Sequence, residues 1–369
     1  MSETFWRPDV IFVDEAVRTH PRTALILERF PKAERAPVQD VKAFARNGTP
    51  AARAFSKGKK GLFLSRQKGK FLSVCPAFTE NAVCCHYRII NLLLGCNFDC
   101  SYCFLQAYLN NPFITFYVNV EDALEELRLL FKENPARGFR FGTGEFTDSL
   151  SLDHAVGLNK TLVEFFAGQA NAALELKTKS TRVEPLLSLD HRGRTIIAWS
   201  LNTRFIQRTE EHKTASIEDR ILAARRCVTA GYRVAFHFDP LIIHPDWEEG
   251  YRETINLIGA HIDREQIAWI SYGALRFVPE LKRAAQSRFA ETPIFSDEFV
   301  KGFDGKMRYF APLRTRLYQT IHRHVQEVFP ALSPYLCMEA EHLWEKALGE
   351  KAPSTAELTA RLDKTVGAG

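Results

Sequence analysis

The chain has 369 residues, of which 46% are hydrophobic and 25% are charged, and its formal net charge is +5. This composition excludes an intrinsically disordered protein, and the length allows one large α/β barrel with extensions or two ordinary domains. No apolar run reaches the ~18 residues of a membrane span, and the first residues lack the apolar core of a signal peptide. Eight cysteines without a regular framework favour a reducing compartment. We therefore expect a cytoplasmic protein with no membrane segment.

Residues 1–86 form an N-terminal extension that contains a basic stretch at 51–70. The cations of this stretch, with no acidic residue to offset them, are Arg53, Lys57, Lys59, Lys60, Arg66, Lys68 and Lys70. Together with Phe55, Phe63 and Phe71, they could follow a phosphate backbone and stack on exposed bases. The alternative is a solvated loop, because three glycines interrupt the stretch.

Three cysteines follow the apolar run 89–94, which predicts a buried strand. Cys96, Cys100 and Cys103 are separated by three and then by two residues. In a loop after a strand, this spacing can wrap one corner of an iron–sulfur cubane, where three thiolates ligate three irons and leave the fourth open. An open iron can bind a substrate or cofactor directly, which indicates chemistry rather than electron storage.

Two alternatives to a cluster remain. A structural zinc site needs four protein ligands. Cys84, Cys85 or His86 could supply the fourth only by returning across the whole apolar strand. The second alternative is a chance spacing of three core cysteines.

The cysteine motif resembles that of the radical S-adenosylmethionine (SAM) superfamily. The resemblance implies a [4Fe–4S] cluster whose open iron chelates the amino and carboxylate groups of SAM. It also implies that an electron from the cluster breaks a carbon–sulfur bond to give a 5′-deoxyadenosyl radical. A cellular one-electron donor is then an expected partner.

Strands and helices alternate from residue 87 onward, which predicts βα units and a parallel sheet. After the first strand, the predicted strands are 138–143, 173–179, 195–201, 232–238 and 266–272. The predicted helices are 120–133, 153–166, 182–189, 217–230 and 247–258. Six such units fit an α/β fold of the radical SAM type, a partial (β/α)6 TIM-type barrel with N-terminal and C-terminal extensions. We expect the barrel at 87–278 and a mostly helical segment at 279–369, with a loose tail after Gly349.

Polar residues at the strand ends are further candidates, because barrel sites lie at the carboxyl ends of the strands. Gly144 would let the backbone approach a ligand closely, and Glu145 could accept a hydrogen bond from an ammonium group. The segment 142–145 resembles the superfamily's Gly-Gly-Glu motif, which implies that it holds the SAM amino group; alone, such a motif is usually a turn. His237 and Asp239 could face the substrate or form a structural pair.

Four more side chains are candidates for SAM contacts. Lys179 could neutralise the SAM carboxylate, or it could be a surface lysine. Ser200 and Asn202 suit a ribose or a carboxylate, although a strand-end turn would select the same residue types. Tyr102 could pack on the adenine or relay a hydrogen atom, or it could be ordinary loop packing.

From about residue 5 to residue 330, the chain resembles the spore photoproduct lyase family within this superfamily. The most specific shared segments are 100–106, 116–120, 151–154, 200–202 and 243–251. The resemblance implies that the radical takes a hydrogen atom from a thymine-derived photodimer in DNA. The dimer then fragments, and a cysteine and tyrosine relay quenches the product radical.

Two residues depart from the family's pattern. Glu145 occupies the place of the hydrogen-donor cysteine, and Phe104 follows the third cluster cysteine where the family has tyrosine. Because a carboxylate is no thiol and phenylalanine has no phenolic hydrogen, the known quenching route is expected to be absent while the cluster and SAM machinery is intact. Either the substrate differs, or the hydrogen donor is one of Cys75, Cys84, Cys85, Cys227 and Cys337. Such cysteines are more often buried apolar residues than donors.

Three hypotheses follow for the function. The first is a radical SAM enzyme that acts on a DNA photolesion, and the second is one of the same branch with another substrate. The third is a nucleic-acid-binding protein with a structural or redox-sensing cluster. Formation of 5′-deoxyadenosine separates the third from the other two, and the salt dependence of DNA binding partly separates the first two.

Overall fold

The computed structural model describes residues 5–38, 51–75, 82–365 and 367. Within them the largest sheet has eight strands, and its strands lie side by side in chain order. The parallel strands are β1 (Arg88–Ile90), β2 (Phe139–Gly142), β3 (Ala172–Thr178), β4 (Thr195–Ser200), β5 (Arg233–Leu241), β6 (Ile267–Ala274) and β7 (Tyr335–Leu336). The strand Leu72–Val74 pairs antiparallel with β1 at one edge.

This sheet curls into a partial barrel. Glu175 on β3 and His237 on β5 have β4 between them, yet their Oε1 and Nε2 atoms are only 2.7 Å apart. Such a contact across the inner face requires strong curvature. The predicted partial barrel with six βα units is therefore confirmed, and β7 extends it by one strand.

Helices separate most of the barrel strands. They are Val120–Glu133 before β2, Asp153–Val156 and Asn159–Ala167 before β3, Arg204–Glu210 and Ile217–Thr229 before β5, and Trp247–His261 before β6. Two short 3-10 helices, Glu184–Leu186 and Arg264–Gln266, precede β4 and β6. The first helix has the predicted bounds, because its apolar positions bury one face and its acidic residues occupy the first turn.

The prediction of one helix at 153–166 is wrong, because the structure has two helices in this range. Gly157 has a φ of +65°, a left-handed conformation that ends the helix Asp153–Val156. A new helix begins two residues later. The first predicted barrel strand is also divided, because 89–94 contributes Ile89 and Ile90 to β1 and Leu93–Leu94 to a different sheet.

The second sheet contains most of the described N-terminal extension. Its order is Glu34–Val38, Val10–Asp14, Gly61–Ser65, Ile114–Tyr117 and Leu93–Leu94, with only the last pair antiparallel. The helices Pro21–Arg29 and Ala51–Gly58 and the 3-10 helix Glu15–Val17 connect these strands. The boundary at 86/87 stays a prediction, since this sheet takes strands from both sides of it.

The basic stretch at 51–70 forms a helix and a strand rather than one continuous loop, and it is not a surface on which bases could stack. Phe55, Phe63 and Phe71 are 6%, 8% and 3% exposed, so their rings belong to the core. Lys59 is also buried. The side chain of Arg53 lies outside the described residues. The predicted stacking on bases is therefore wrong for these three rings.

Four helices lie in the part of the C-terminal segment that the structure describes. Its helices are Pro279–Arg288, Ala311–Val328, Glu341–Leu348 and Thr355–Thr365. A small sheet joins Arg276–Phe277, Met307–Arg308 and Val300–Lys301. The expectation of a loose tail after Gly349 is wrong, because Leu358 and Leu362 of the last helix are buried in the core. Among the described residues, we find no helix with the length and apolarity to cross a membrane.

Candidate active site

The cysteine loop begins at a turn that suits glycine. Gly95 has a φ of +86°, and its N–H donates to the Phe146 carbonyl at 2.8 Å. A Cβ at this position would lie 3.2 Å from Ile114 Cα. Glycine adopts this left-handed conformation without strain. The turn therefore directs the chain from the strand Leu93–Leu94 into Cys96.

Backbone pairing with a distant segment holds Cys100. The short strand Asp99–Cys100 pairs antiparallel with Glu211–His212. The Ser101 N–H then donates to the Glu210 carbonyl at 2.9 Å. The middle of the cysteine loop is thus fixed to the segment that follows β4.

The three thiols influence one another electrostatically. Burial raises the pKa of Cys96 to about 12, and the nearby Cys103 acts in the same direction. Burial raises the pKa of Cys100 as well, and Cys103 and Cys96 add to that rise. Lys59 opposes the pKa rise at Cys96, and Lys179 opposes it at Cys100. Burial therefore outweighs the two lysines, which only partly offset the free energy needed to form the thiolates that bind metal.

This donor set fits a cluster. In the part of the chain that the structure describes, no three His, Cys, Asp or Glu side chains converge on a single ion. A cubane corner does not require convergence, because each thiolate binds a different iron. The cysteines share one loop, form no disulfide and have lysines beside them. The arrangement suits an iron–sulfur cluster better than a closed tetrahedral zinc site.

Asp99 connects the loop to three other parts of the chain. Its carboxylate pairs with Lys59 at 3.1 Å and with Lys213 at 3.4 Å. Arg288 also binds it and donates in addition to the side chain of Gln106. Burial alone would raise the pKa of Asp99, but Lys59 and Arg288 outweigh burial and lower this pKa to about 2. The carboxylate is therefore ionised and anchors the loop.

A second buried carboxylate, Glu211, organises two of the predicted site residues. Tyr102 donates its phenolic hydrogen to Glu211 Oε1, and Lys179 Nζ lies 3.7 Å from the same oxygen. Arg220 binds Oε2 at 2.7 Å. Burial opposes the charge of Glu211, but Lys179 and Arg220 lower its pKa. Burial and Glu211 together raise the pKa of Tyr102 well above its ordinary value.

Gly144 and Glu145 lie past the end of β2. A Cβ on Gly144 would be 2.7 Å from Lys177 Cβ, so glycine lets the loop pack closely on β3. The Cys75 thiol donates to Glu145 Oε1 at 3.7 Å. Burial raises the pKa of Glu145, and Asp239 adds to this rise while Lys177 opposes it.

Ser200 and Asn202 have different hydrogen-bond partners within the protein. The Ser200 carbonyl accepts a hydrogen bond from Arg220 at 2.9 Å. The Asn202 amide donates to the Pro240 carbonyl at 2.9 Å and accepts from the Tyr251 hydroxyl at 2.7 Å. Both polar ends of the Asn202 side chain are thus engaged within the protein. Its contact with SAM stays a prediction that these contacts do not favour.

Polar side chains also fill the barrel interior. Glu175 and His237 form a buried pair, and the other ring nitrogen of His237 meets Ser271 Oγ at 2.6 Å. Burial and Lys177 lower the pKa of His237. The prediction of a structural pair between His237 and Asp239 is wrong, because Asp239 instead pairs with Arg276 through both of its oxygens.

The structure thus brings the cysteines together with Tyr102 and Lys179, and places Glu145 in a separate group. We call this group the mouth cluster; its members are Cys75, Glu145, Lys177, Asp239, Arg276 and Cys337. All but Cys75 lie at or past the carboxyl ends of barrel strands. Neither Lys177 nor Glu211 was predicted from the sequence. The alternation of Glu175 and Lys177 on a buried strand signals a polar inner face, whereas no pattern marks Glu211.

Comparisons with known proteins identify the family of this chain. The sequence model of the spore photoproduct lyase family matches residues 6–333. The spore photoproduct lyase of Geobacillus sp. (strain Y412MC61) is 28% identical over 251 residues, which cover 66% of this chain and 74% of that protein. That of Bacillus subtilis (strain 168) is 29% identical over 245 residues, which cover 64% and 72%.

Solved structures share the fold. A spore photoproduct lyase complexed with dinucleoside spore photoproduct has a TM-score of 0.78 at 24% identity, over 90% of this chain and 99% of that chain. A mutant spore photoproduct lyase with bound AdoMet and dinucleoside spore photoproduct has the same TM-score and identity. The fold and the family match lead to one conclusion: this chain belongs to the spore photoproduct lyase family of radical SAM enzymes.

Proposed function

We propose that this protein cleaves SAM reductively and uses the resulting radical chemistry to repair spore photoproduct, a thymine photolesion, in DNA. The observation that carries the proposal is the loop of Cys96, Cys100 and Cys103, which pairs with the segment after β4, in a chain whose residues 6–333 match this family. The relatives named above carry the same enzyme name, and two solved neighbours hold the dinucleoside lesion. A cellular one-electron donor is the second proposed partner.

The three cysteines are proposed to ligate a [4Fe–4S] cluster. When bound, this cluster and SAM supply the abstraction of a hydrogen atom from the substrate. The protein's part is to hold the thiolates in place through Asp99 and Gln106, whose amide donates to the Cys103 carbonyl at 3.2 Å.

The remaining predicted residues are proposed to hold SAM. The backbone at Gly144 and the carboxylate of Glu145 would bind the amino group, and Lys179 would bind the carboxylate. Lys179 lies 5.8 Å from the ring centre of Tyr102, so one SAM molecule could contact both. The Ser200 hydroxyl completes this set, with Asn202 beside it, and Tyr102 stays a proposed hydrogen-relay residue.

A second candidate function is the same radical chemistry on another substrate. Glu145 and Phe104 favour it, because neither side chain can donate a hydrogen atom as a thiol or phenol does. Phe104 is 38% exposed and lies 6.4 Å from the ring of Phe146, so it is accessible beside the cysteine loop.

Product analysis tests the proposed function. We expect the anaerobically reconstituted, reduced protein with SAM and lesion-containing DNA to form 5′-deoxyadenosine together with restored thymines. Formation of 5′-deoxyadenosine without restored thymines would favour the second candidate. Absence of both products would overturn the proposal.

Glu145→Ala is expected to raise the SAM concentration needed for half-maximal turnover by about tenfold, while the iron content stays that of the wild type. The reason is that one charge-assisted hydrogen bond contributes about 1.5–3 kcal/mol. Titration with SAM measures the change, and iron analysis is the control. An unchanged SAM requirement would count against Glu145 as a SAM ligand.

A further inference from the structure

Three aromatic side chains beside the cysteine loop are accessible to solvent. Phe104 and Tyr108 are 38% and 54% exposed, and Phe146 is half-buried. Phenylalanine is among the residues most often buried in folded proteins. A contiguous group of exposed rings therefore indicates a binding surface. We call Phe104, Tyr108 and Phe146 the aromatic platform.

The rings of the aromatic platform contact one another. Those of Tyr108 and Phe146 are stacked, with their centres 5.3 Å apart and an angle of 14° between their planes. The Phe104 ring meets the Tyr108 ring edge to face, with their centres 5.8 Å apart. Because more than half of Tyr108 is exposed, its ring is open to a further planar group.

Two loops of the proposed active site hold these rings. Phe104 directly follows Cys103, and Phe146 directly follows Glu145. Tyr108 ends the short helix that begins after Phe104. A planar group bound to the aromatic platform would therefore lie next to the loop of the cluster cysteines and to the loop that follows β2.

Positive charge borders the aromatic platform. The helix Pro279–Arg288 packs against the short helix of the platform, and its sequence contains three cations and one anion. Its last residue, Arg288, donates to Ser56 of the helix Ala51–Gly58 at 2.9 Å. This second helix has no acidic residue, and its Lys57 is exposed. The two helices thus meet beside the platform with an excess of positive charge.

Two of these cations are available to an anionic ligand. Arg283 already pairs with Glu280 at 3.3 Å. Lys57 and Lys282, by contrast, have no ion-pair partner in the part of the chain that the structure describes. An apolar partner would cover these two ammonium groups without compensating their charge. Exposed rings next to free cations instead suit a single nucleic-acid strand, whose bases stack and whose phosphates are anionic.

We propose, on the basis of the proposed function, that the aromatic platform stacks on a base of the DNA strand that carries the lesion. Tyr108 offers the open ring face, and Lys57 and Lys282 bind neighbouring phosphates. The bases of an intact duplex are already stacked on one another, so the platform selects a base that is single-stranded or locally unpaired. The basic stretch at 51–70 thus contributes charge to DNA binding, while the rings come from other loops.

A comparison of two DNA strands tests the stacking. One probe is a fluorescently labelled single strand of about ten thymidines, and the other has the same backbone without bases. Fluorescence anisotropy measures their binding to the anaerobically reconstituted protein without SAM. We expect the wild type to prefer the thymidine strand by at least about tenfold, because each base stacked on a ring adds to the affinity. Tyr108→Ala should reduce this preference by at least about fivefold.

Matched variants separate stacking from a loss of the fold. Tyr108→Phe keeps the ring and should keep the wild-type preference. Phe205→Ala removes a ring that is 42% exposed and stacked on His244 rather than on the aromatic platform, and it should also keep the preference. The iron content after reconstitution should be the same in all of these proteins.

Lys57→Ala tests the phosphate contacts independently of the rings. It should weaken the binding of both strands by the same factor, because both have the same phosphates. The slope of log affinity against log salt concentration should become shallower by about 0.7, the value for one lost contact to a single strand. An unchanged salt slope would overturn the assignment of Lys57.

Repair kinetics distinguish the aromatic platform from the proposed function. With lesion-containing single-stranded DNA, Tyr108→Ala should raise KM by at least about fivefold while kcat stays near the wild-type value. An unchanged base preference in Tyr108→Ala, or a wild type with no preference, would overturn the platform and leave the proposed function standing. A wild type that prefers the thymidine strand but forms 5′-deoxyadenosine without restored thymines would support the platform and overturn the proposed function.

Discussion

We expect Cys100→Ala to abolish cluster binding and SAM cleavage together. Cys100 is buried, and its short strand is paired with Glu211–His212, so no other thiol can move into its place. Changes outside the ligand shell of a metal site already cost about 10–100-fold in activity or affinity. Loss of a ligand should therefore leave less than about one hundredth of the wild-type rate of 5′-deoxyadenosine formation.

The measurements are iron and sulfide content after anaerobic reconstitution, and 5′-deoxyadenosine by chromatography. Cys227→Ala is the control. It removes a buried thiol from the helix Ile217–Thr229, which packs against β4 and β5. It should keep a full cluster and wild-type SAM cleavage. Wild-type turnover in Cys100→Ala would contradict the assignment of the cysteine loop to a cluster.

Glu211→Gln is expected to destabilise the folded protein by about 3–5 kcal/mol. The substitution removes the negative charge that Lys179 and Arg220 share and leaves both cations near or within the core. Tyr102 loses its charged acceptor at the same time. Urea denaturation of the reconstituted protein measures the change in the free energy of unfolding.

The matched control is Glu249→Gln, which breaks an exposed pair with Arg252 and should cost less than about 1 kcal/mol. The pH dependence gives a second check. Because the pKa of Glu211 is lowered from 4.5 in the folded protein, its contribution is present above pH 4.5 and is lost as the pH falls through the folded pKa. The stability difference between wild type and Glu211→Gln should therefore shrink below pH 4.5. A difference that stays constant to low pH would contradict the charged role of Glu211.

The barrel could be predicted from the sequence because its signals are local. The helix Val120–Glu133 has the predicted bounds since its apolar periodicity is regular. The N-terminal sheet could not be predicted in the same way. Its strands Val10–Asp14 and Gly61–Ser65 are parallel neighbours about 50 residues apart in sequence, and no short-range pattern specifies such pairing. The last helix, Thr355–Thr365, lies where a loose tail was predicted, and its packing against the core becomes evident only in the structure.

Some residues of the candidate site could likewise be predicted from the sequence, and others could not. Cys96, Cys100 and Cys103 stand out because their spacing itself carries the chemistry. Lys179 and Tyr102 were predicted as individual candidates, but their common partner Glu211 was not, since a lone glutamate after a helix has no distinctive pattern. The contact between Cys75 and Glu145 depends on an edge strand folding back beside β1. Only the three-dimensional structure places these two residues together.

The three cations that bind Asp99 have a consequence for how the protein matures. Lys59 follows the helix Ala51–Gly58, Lys213 follows the short strand Glu211–His212, and Arg288 is the last residue of the helix Pro279–Arg288. The ribosome must therefore synthesise residues beyond 288 before the cysteine loop acquires its last tether.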